Sequence, residues 1–345
     1  MRETGAGIET EGPEGDTMNK TKKIVCVFLT VLFCTGLIAG CADGSAAETS
    51  STPTIISTEN EQATPSAEAT ATATPTPEPT PTPTPEVTSS LPQLQAKEGY
   101  MKPKSLDGID PLNDKVVALT FDDGPGPYTE KMLDILKDNG INATFFLVGK
   151  NVSSYPDVVK RMYEEGNEIG THSWDHSDLK KLSLDQIMQD QYGKANDAIE
   201  EVTGLRALID RPPYGSMTED LAEQIGREQI LWSVDPNDWK KENRDPDIVY
   251  DHVVNGTSDG GHVADGGIVL SHDIHETTVQ AYDRIIKALK DEGYKFVTVT
   301  QMMQIAEIRG KDIGYRFANA PTAKEAAQAS AEGSSETSKS AESAE

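Results

Sequence analysis

Thiols are scarce in this chain: among 345 residues only Cys26, Cys34 and Cys41 carry one, all near the N-terminus. Everything after Cys41 therefore lacks disulfides and thiolate metal sites, and any metal bound there must use nitrogen and oxygen ligands. Positive charge is also short. Lys and Arg number 31 against 57 Asp and Glu, for a net charge of −26, and no basic stripe with interleaved aromatics offsets that surplus. Such a surface repels phosphate backbones, so nucleic acid is excluded as a partner class. Aromatic residues make up 6% of the chain and hydrophobic residues 36%, while Pro, Ala, Ser and Thr crowd into the two ends. That distribution fits one folded domain with tails better than 345 residues of continuous fold. No Gly-x-Gly-x-x-Gly follows the first strand candidate, which argues against a dinucleotide site.

What is present begins with an address. Met18-Asn-Lys-Thr-Lys-Lys is followed by an apolar run over residues 24–39 and then Gly40-Cys41. A basic start, an apolar middle and small residues at the end are the pattern of a secretion signal. The run is short of the roughly 20 apolar residues of a spanning helix. Ile38-Ala39-Gly40-Cys41 resembles the lipobox of bacterial lipoproteins, in which Cys41 would become the lipidated first residue; an uncleaved anchor or an ordinary signal peptide are the alternatives. Residues 1–17 are acidic and sit poorly before a basic segment, so translation is expected to start at Met18, with 1–17 a mis-annotated leader. Residues 41–95 are a Thr/Pro-rich linker that favours extended polyproline II. At about 3.1 Å per residue this stalk could hold a domain more than about 100 Å from its anchor. Residues 318–345 are Ala, Ser, Glu and Lys without apolar periodicity and are expected to be a disordered tail.

Between these, residues 96–317 alternate short apolar runs with helical patterns. The strand candidates are 116–121, 143–148, 168–171, 207–211, 230–234, 267–271 and 296–299. Helical patterns cover 130–139, 157–165, 184–202 and 277–292, three of them closed by Gly140, Gly166 and Gly293. This is an α/β arrangement with mostly parallel strands, either an open sheet or a barrel.

Nearly every strand candidate ends in polar residues, where catalytic groups of parallel α/β folds stand. Thr120-Phe121-Asp122-Asp123-Gly124-Pro125 places two carboxylates side by side, which repel unless a cation or a base role separates their tasks; a plain Asp-Gly turn is the alternative. His172 and His176 are four apart, a spacing that on a helical turn turns both rings the same way and could grip one metal. Two His and one Asp would leave a fourth position open for water, as in catalytic zinc sites. Asp210-Arg211-Pro212-Pro213-Tyr214, Asp235-Pro236-Asn237-Asp238-Trp239 and Leu270-Ser271-His272 also follow apolar runs, though each alone reads as a capped turn or strand end.

Taken in order, these five segments resemble the motifs of the polysaccharide deacetylases, the NodB homology domain or carbohydrate esterase family 4. The resemblance spans about residues 115–304 and implies a distorted (β/α) barrel of about seven parallel strands. It implies a hydrolase acting on carbon–nitrogen bonds of linear amides, with one divalent metal on Asp123, His172 and His176 that polarises an acetamido carbonyl toward attack by water. Asp122 would be the general base, aimed by Arg211 in a bidentate pair. His272 would be the general acid, charged and oriented by Asp238. The Tyr214 backbone N–H would hold the oxyanion, and Trp239 and Leu270 would wall the acetyl methyl. Zinc suits the ligand set, and cobalt, nickel or manganese also fit it. His252, His262 and His275 belong to no motif and are read as surface or supporting residues.

An exported, lipid-anchored domain on the outer face of a bacterial membrane meets peptidoglycan first. Its N-acetylglucosamine is therefore the expected substrate, and the protein is expected to be a monomer in the cell-wall space. Chitooligosaccharides, other exopolysaccharides and acetylated xylan would use the same motifs. An inactive wall-binding lipoprotein is the non-enzyme alternative, against which the full set of motif residues argues.

Overall fold

The computed structural model describes residues 94–95 and 97–342, with side chains up to residue 332. The leader 1–17, the signal segment 18–40, Cys41 and nearly all of the linker lie outside the described residues. In chain order the strands are β1 (Lys115–Asp122), β2 (Thr144–Leu147), β3 (Glu168–Thr171), β4 (Gln229–Ile230), β5 (Gly267–Ser271), β6 (Tyr294–Phe296) and β7 (Arg316–Phe317). The α-helices are α1 (Thr129–Asp138), α2 (Gly149–Val152), α3 (Pro156–Glu164), α4 (Lys194–Thr203), α5 (Glu219–Ile225), α6 (Pro246–Val254), α7 (Glu276–Asp291), α8 (Val299–Ile308) and α9 (Ala323–Glu342).

Strand β1 is the hub. Its eight residues are almost all buried, as expected of a parallel strand covered on both faces. Val117, Leu119 and Phe121 face one apolar cluster, with Met132, Leu133 and Leu136 of α1 and Val279, Tyr282 and Ile286 of α7. Val116 and Ala118 face another, with Phe146, Ile230 and Ile268 and with Met302, Met303 and Ala306 of α8. The two-residue period continues that second face through Thr120 to Asp122, so the carboxylate emerges at the top of the inner layer.

The sheet runs β3-β2-β1-β5, with β6 also paired to β1, and every ladder is parallel. β4 pairs with β7 in a separate two-stranded ladder. The expected barrel is therefore not closed: β3, β4 and β5 are joined only through single bridges at Thr171↔Asp210, Asp210↔Gln229 and Val234↔Val269. The sequence explains the gap. The N–H of Ile230 reaches the carbonyl of Asp210, and parallel pairing would next bring the N–H of residue 212 to the carbonyl of Ile230. Residue 212 is proline and has none; the Arg211 Nε donates to that carbonyl instead, at 3.3 Å. The strand expected over 207–211 thus survives as one residue, Asp210, bridged on both sides, and that expected over 230–234 ladders only at Gln229–Ile230.

Other differences follow from local signals. The helix expected over 184–202 is a π-helical segment, Gln186–Gly193, running into α4. α2 and α5 are too short, and α6 and α8 too evenly apolar, for a clear 3.6-residue period. The tail expected to be disordered from residue 318 instead carries α9, with Ala320 and Ala326 buried against the domain. Among the described residues no helix is long and apolar enough to cross a membrane.

Gly170 shows how closely the inner layer is packed beside the motif loops. A Cβ there would lie 2.6 Å from two ring carbons of Phe146 and 3.0 Å from the carbonyl of Ile209. Gly170→Ala is expected to cost about 1–3 kcal/mol of stability through overpacking, read as a lower urea midpoint at unchanged m-value.

Candidate active site

Strand register brings the motif residues together. Phe121 pairs with Ser271, so Asp122 and His272 leave the sheet side by side. Leu147 pairs with Thr171, so His172 starts one residue beyond β3. Asp123 follows β1 directly, and Arg211 and Asp235 follow the bridges at Asp210 and Val234. All of these positions lie at the C-terminal ends of parallel strands, where loop side chains converge.

They surround a cavity of about 430 Å³ lined by Asp122, Asp123, His172, His176, Tyr214, Trp232, Asp235, Trp239, Leu270 and His272. A larger hollow of about 600 Å³ opens elsewhere, between residues 97–104 and the start of β3. It gathers no His and Asp cluster, and the chemistry lies in the smaller one.

Asp123, His172 and His176 form a group whose ligand atoms all lie within 4.8 Å of one another, the one such group among the described residues. Asp123 Oδ1 is 3.2 Å from His176 Nε2 and 3.6 Å from His172 Nε2. The Asp123 oxygen is buried without a hydrogen-bond partner, which leaves its lone pairs for a cation. His172 Nδ1 lies 2.8 Å from the carbonyl oxygen of Arg211. A carbonyl only accepts, so Nδ1 carries the proton and Nε2 offers a free lone pair toward Asp123. Burial lowers the His172 pKa to about 3, despite the opposing Asp123 charge, and keeps the ring neutral. Three donors of this kind, converging on one point, fit a divalent metal with an open position.

The two histidines do not share a helical turn. They sit in a loop, and Ser173 and His176 take left-handed backbone angles, φ 65° and 66°. Asp123, Tyr214 and Asn237 do the same, and among the described residues these five are the only non-glycine positions with positive φ. All five belong to the motif loops. Such conformations cost on the order of 1–3 kcal/mol each and persist where the surroundings over-determine them.

Asp122 approaches the same His172 nitrogen, its Oδ2 3.7 Å from Nε2. Arg211 Nη1 donates to Asp122 Oδ1 at 2.8 Å and to Thr120 Oγ1 at 2.6 Å. The pair is not bidentate as expected: Nη2 and Nε go to the carbonyls of Leu231 and Ile230. The guanidinium is fully buried, stacked 4.1 Å over the Phe146 ring. Burial pushes the Asp122 carboxyl up from the usual carboxylate range, opposed by Arg211 and His272. Across the cavity Asp238 Oδ1 lies 2.8 Å from His272 Nδ1, while its Oδ2 accepts from the His272 N–H and from Thr278 Oγ1, both at 2.8 Å. Burial disfavours a charged His272, but the Asp238 carboxylate outweighs it and raises the pKa to about 9.

Tyr214 and Trp239 are exposed at the rim, Tyr214 with its ring 4.5 Å from that of His176, and Leu270 is buried in the wall. Trp232 and Asp235 also line the cavity, although no site role was read for them in the sequence; each follows the apolar run of β4, the signal shared by the other motif residues. His252 Nδ1 lies 2.8 Å from the carbonyl of Pro236, supporting the Asp235–Trp239 loop. His275 is the N-cap residue of α7, its ring 6.0 Å from that of His272, and His262 is exposed.

A parallel α/β fold whose strand ends gather a candidate His-His-Asp metal group beside two ion pairs has the form of a hydrolase. The family profile of polysaccharide deacetylases matches residues 110–230. The peptidoglycan-N-acetylmuramic acid deacetylase PdaC of Bacillus subtilis is 43% identical over 202 residues, covering 58% of this chain and 41% of that protein. A peptidoglycan-N-acetylglucosamine deacetylase of Bacillus cereus is 35% identical over 207 residues, covering 58% of this chain and 72% of that one. The solved family 4 acetyl xylan esterase of Clostridium thermocellum, in complex with a cobalt ion, superposes with a TM-score of 0.53 at 33% identity, covering 60% of this chain and 100% of that one. The chain belongs to the polysaccharide deacetylase family. It spans about two fifths of the length of PdaC.

Proposed function

We propose that the protein is a metal-dependent hydrolase that removes N-acetyl groups from N-acetylglucosamine units of peptidoglycan. The observation that carries this reading is the convergence on one cavity of Asp123, His172 and His176 with the Asp122–Arg211 pair and the His272–Asp238 pair. A divalent ion on the three ligands supplies positive charge that polarises the acetamido carbonyl and lowers the pKa of water. Neutral imidazoles with a carboxylate suit zinc, and cobalt, nickel and manganese accept the same donors.

The chain's own groups do the rest. Asp122, buried and aimed by Arg211, takes the proton of the attacking water. The Tyr214 backbone N–H stabilises the charge that develops on the carbonyl oxygen. Trp239 and Leu270 offer an apolar wall to the acetyl methyl. His272, protonated near neutral pH, gives its proton to the leaving nitrogen, so that the amine departs rather than the water. Amide and water thus become acetate and a free amino sugar. The secretion-signal pattern and the lipobox-like segment ending at Cys41, both read from the sequence, support a wall polymer as substrate, as do the peptidoglycan deacetylases among the relatives.

The test is acetate release by the purified protein from cell wall, chitohexaose and acetylated xylan, before and after chelation. Release from cell wall that stops on chelation and returns with zinc is expected. Release from xylan alone overturns the substrate, and release untouched by chelation overturns the metal. His172→Ala is expected to lose both bound zinc and turnover, measured by elemental analysis and acetate release.

A further inference from the structure

The loop from His172 to His176 has no helical hydrogen bonds of its own, and two of its residues hold left-handed angles. Its shape must come from outside. The carbonyls of Ser173 and Trp174 accept from the N–H groups of Gly149 and Lys150 at the start of α2, each at 3.0 Å. Within the loop, Ser173 Oγ accepts from the His176 N–H at 2.9 Å. That leaves the Trp174 N–H, which donates to Gln191 Oε1 at 2.9 Å. Gln191 also lies beside the Asp175 carboxylate and, after the Ser177 hydroxyl, helps hold it below the usual carboxylate range. The side chain is 6% exposed. A buried amide thus holds one of the residues between the two histidines and faces the next.

Gln191 reaches that position from the π-helical segment Gln186–Gly193. Its wide turn buries both Gln191 and the next residue, Tyr192, whose hydroxyl donates to Gln229 Oε1 beside the barrel gap. A π-turn carries one residue more than an α-turn; deleting it would rotate one flank of the helix by about 100° and carry Gln191 off the loop.

We propose that Gln191 is a positioning residue for the metal site, setting the separation of His172 and His176 through Trp174 and Asp175. The inference rests on the reading of Asp123, His172 and His176 as metal ligands. Outer partners that orient ligands are worth about 10–100-fold in metal affinity. Gln191→Leu is therefore expected to raise the zinc dissociation constant about 10–100-fold, measured by competition with a chromogenic chelator, with the metal-free protein still folded by circular dichroism. Gln191→Glu sets two carboxylates face to face and is expected to weaken zinc as well. Adding Asp175→Asn to it restores a donor opposite an acceptor and is expected to bring affinity back toward wild type. A folded Gln191→Leu protein with wild-type zinc affinity overturns the proposal. If that variant does not fold, the Glu pair decides: a double variant no better than Gln191→Glu alone overturns it. Wild-type protein that binds no zinc overturns both this inference and the metal-site reading, whereas wild-type binding with unchanged variants overturns only the role of Gln191.

Discussion

Asp122→Asn is expected to lower turnover by about 10²–10⁴-fold, the range for loss of a positioned general base, while leaving zinc content unchanged. The amide oxygen of Asn can still accept from Arg211 Nη1, so the side chain keeps its place, but it cannot take a proton from water at neutral pH. The same change strips the buried Arg211 guanidinium of its only anionic partner in the site. Removing one member of a buried pair destabilises by about 3–5 kcal/mol, so the variant should also unfold at a lower denaturant concentration. Rate, metal content and stability separate the roles: the rate falls through lost base chemistry, the stability through an unpaired charge, and the metal stays because Asp122 is not among its three closest donors. Wild-type turnover in Asp122→Asn would overturn the assignment of the base.

The sequence made the motif residues legible because each stands within four positions of an apolar run, and parallel strands bring such positions to one end of the sheet. Asp122, Asp123, His172, Arg211, Asp238 and His272 all meet there. The grip of the two histidines was legible as a pairing but not as a conformation: a helical spacing stands in for a strained loop whose shape is set by α2 and Gln191. Gln191 lies fifteen residues beyond His176 inside an amphipathic run, and nothing in that run announces a π-turn. The open barrel was hidden for a related reason. It depends on register: only with Ile230 donating to the Asp210 carbonyl does the missing N–H of Pro212 fall where the next ladder bond belongs, and a lone proline does not announce that placement. The helix at the tail was missed because, among its described side chains, only the small Ala326 is buried, and no large apolar face marks it.

Asp238→Asn is expected to move the basic limb of the pH–rate profile downward. Burial alone would favour neutral His272; the Asp238 charge and hydrogen bond reverse this and raise its pKa to about 9. The donor form is therefore present below about pH 9 and is lost as pH rises through it. In Asp238→Asn the largest raising charge is gone while the burial remains, so the pKa drops toward the ordinary value near 6.5, with Asp122 and Asp123 still raising it. At pH 8 the protonated fraction then falls from about nine-tenths toward about 3%, an activity loss of up to roughly 30-fold that shrinks as the assay is made more acidic. Stability carries the same signature. A folded pKa raised above the unfolded one contributes stability in full below about pH 6.5, less between there and about 9, and none above. The variant should lose that contribution, so the difference in unfolding free energy between wild type and Asp238→Asn is expected to be larger at pH 6 than at pH 9.5. An unmoved basic limb in Asp238→Asn would mean that the proton reaching the leaving nitrogen does not come from His272.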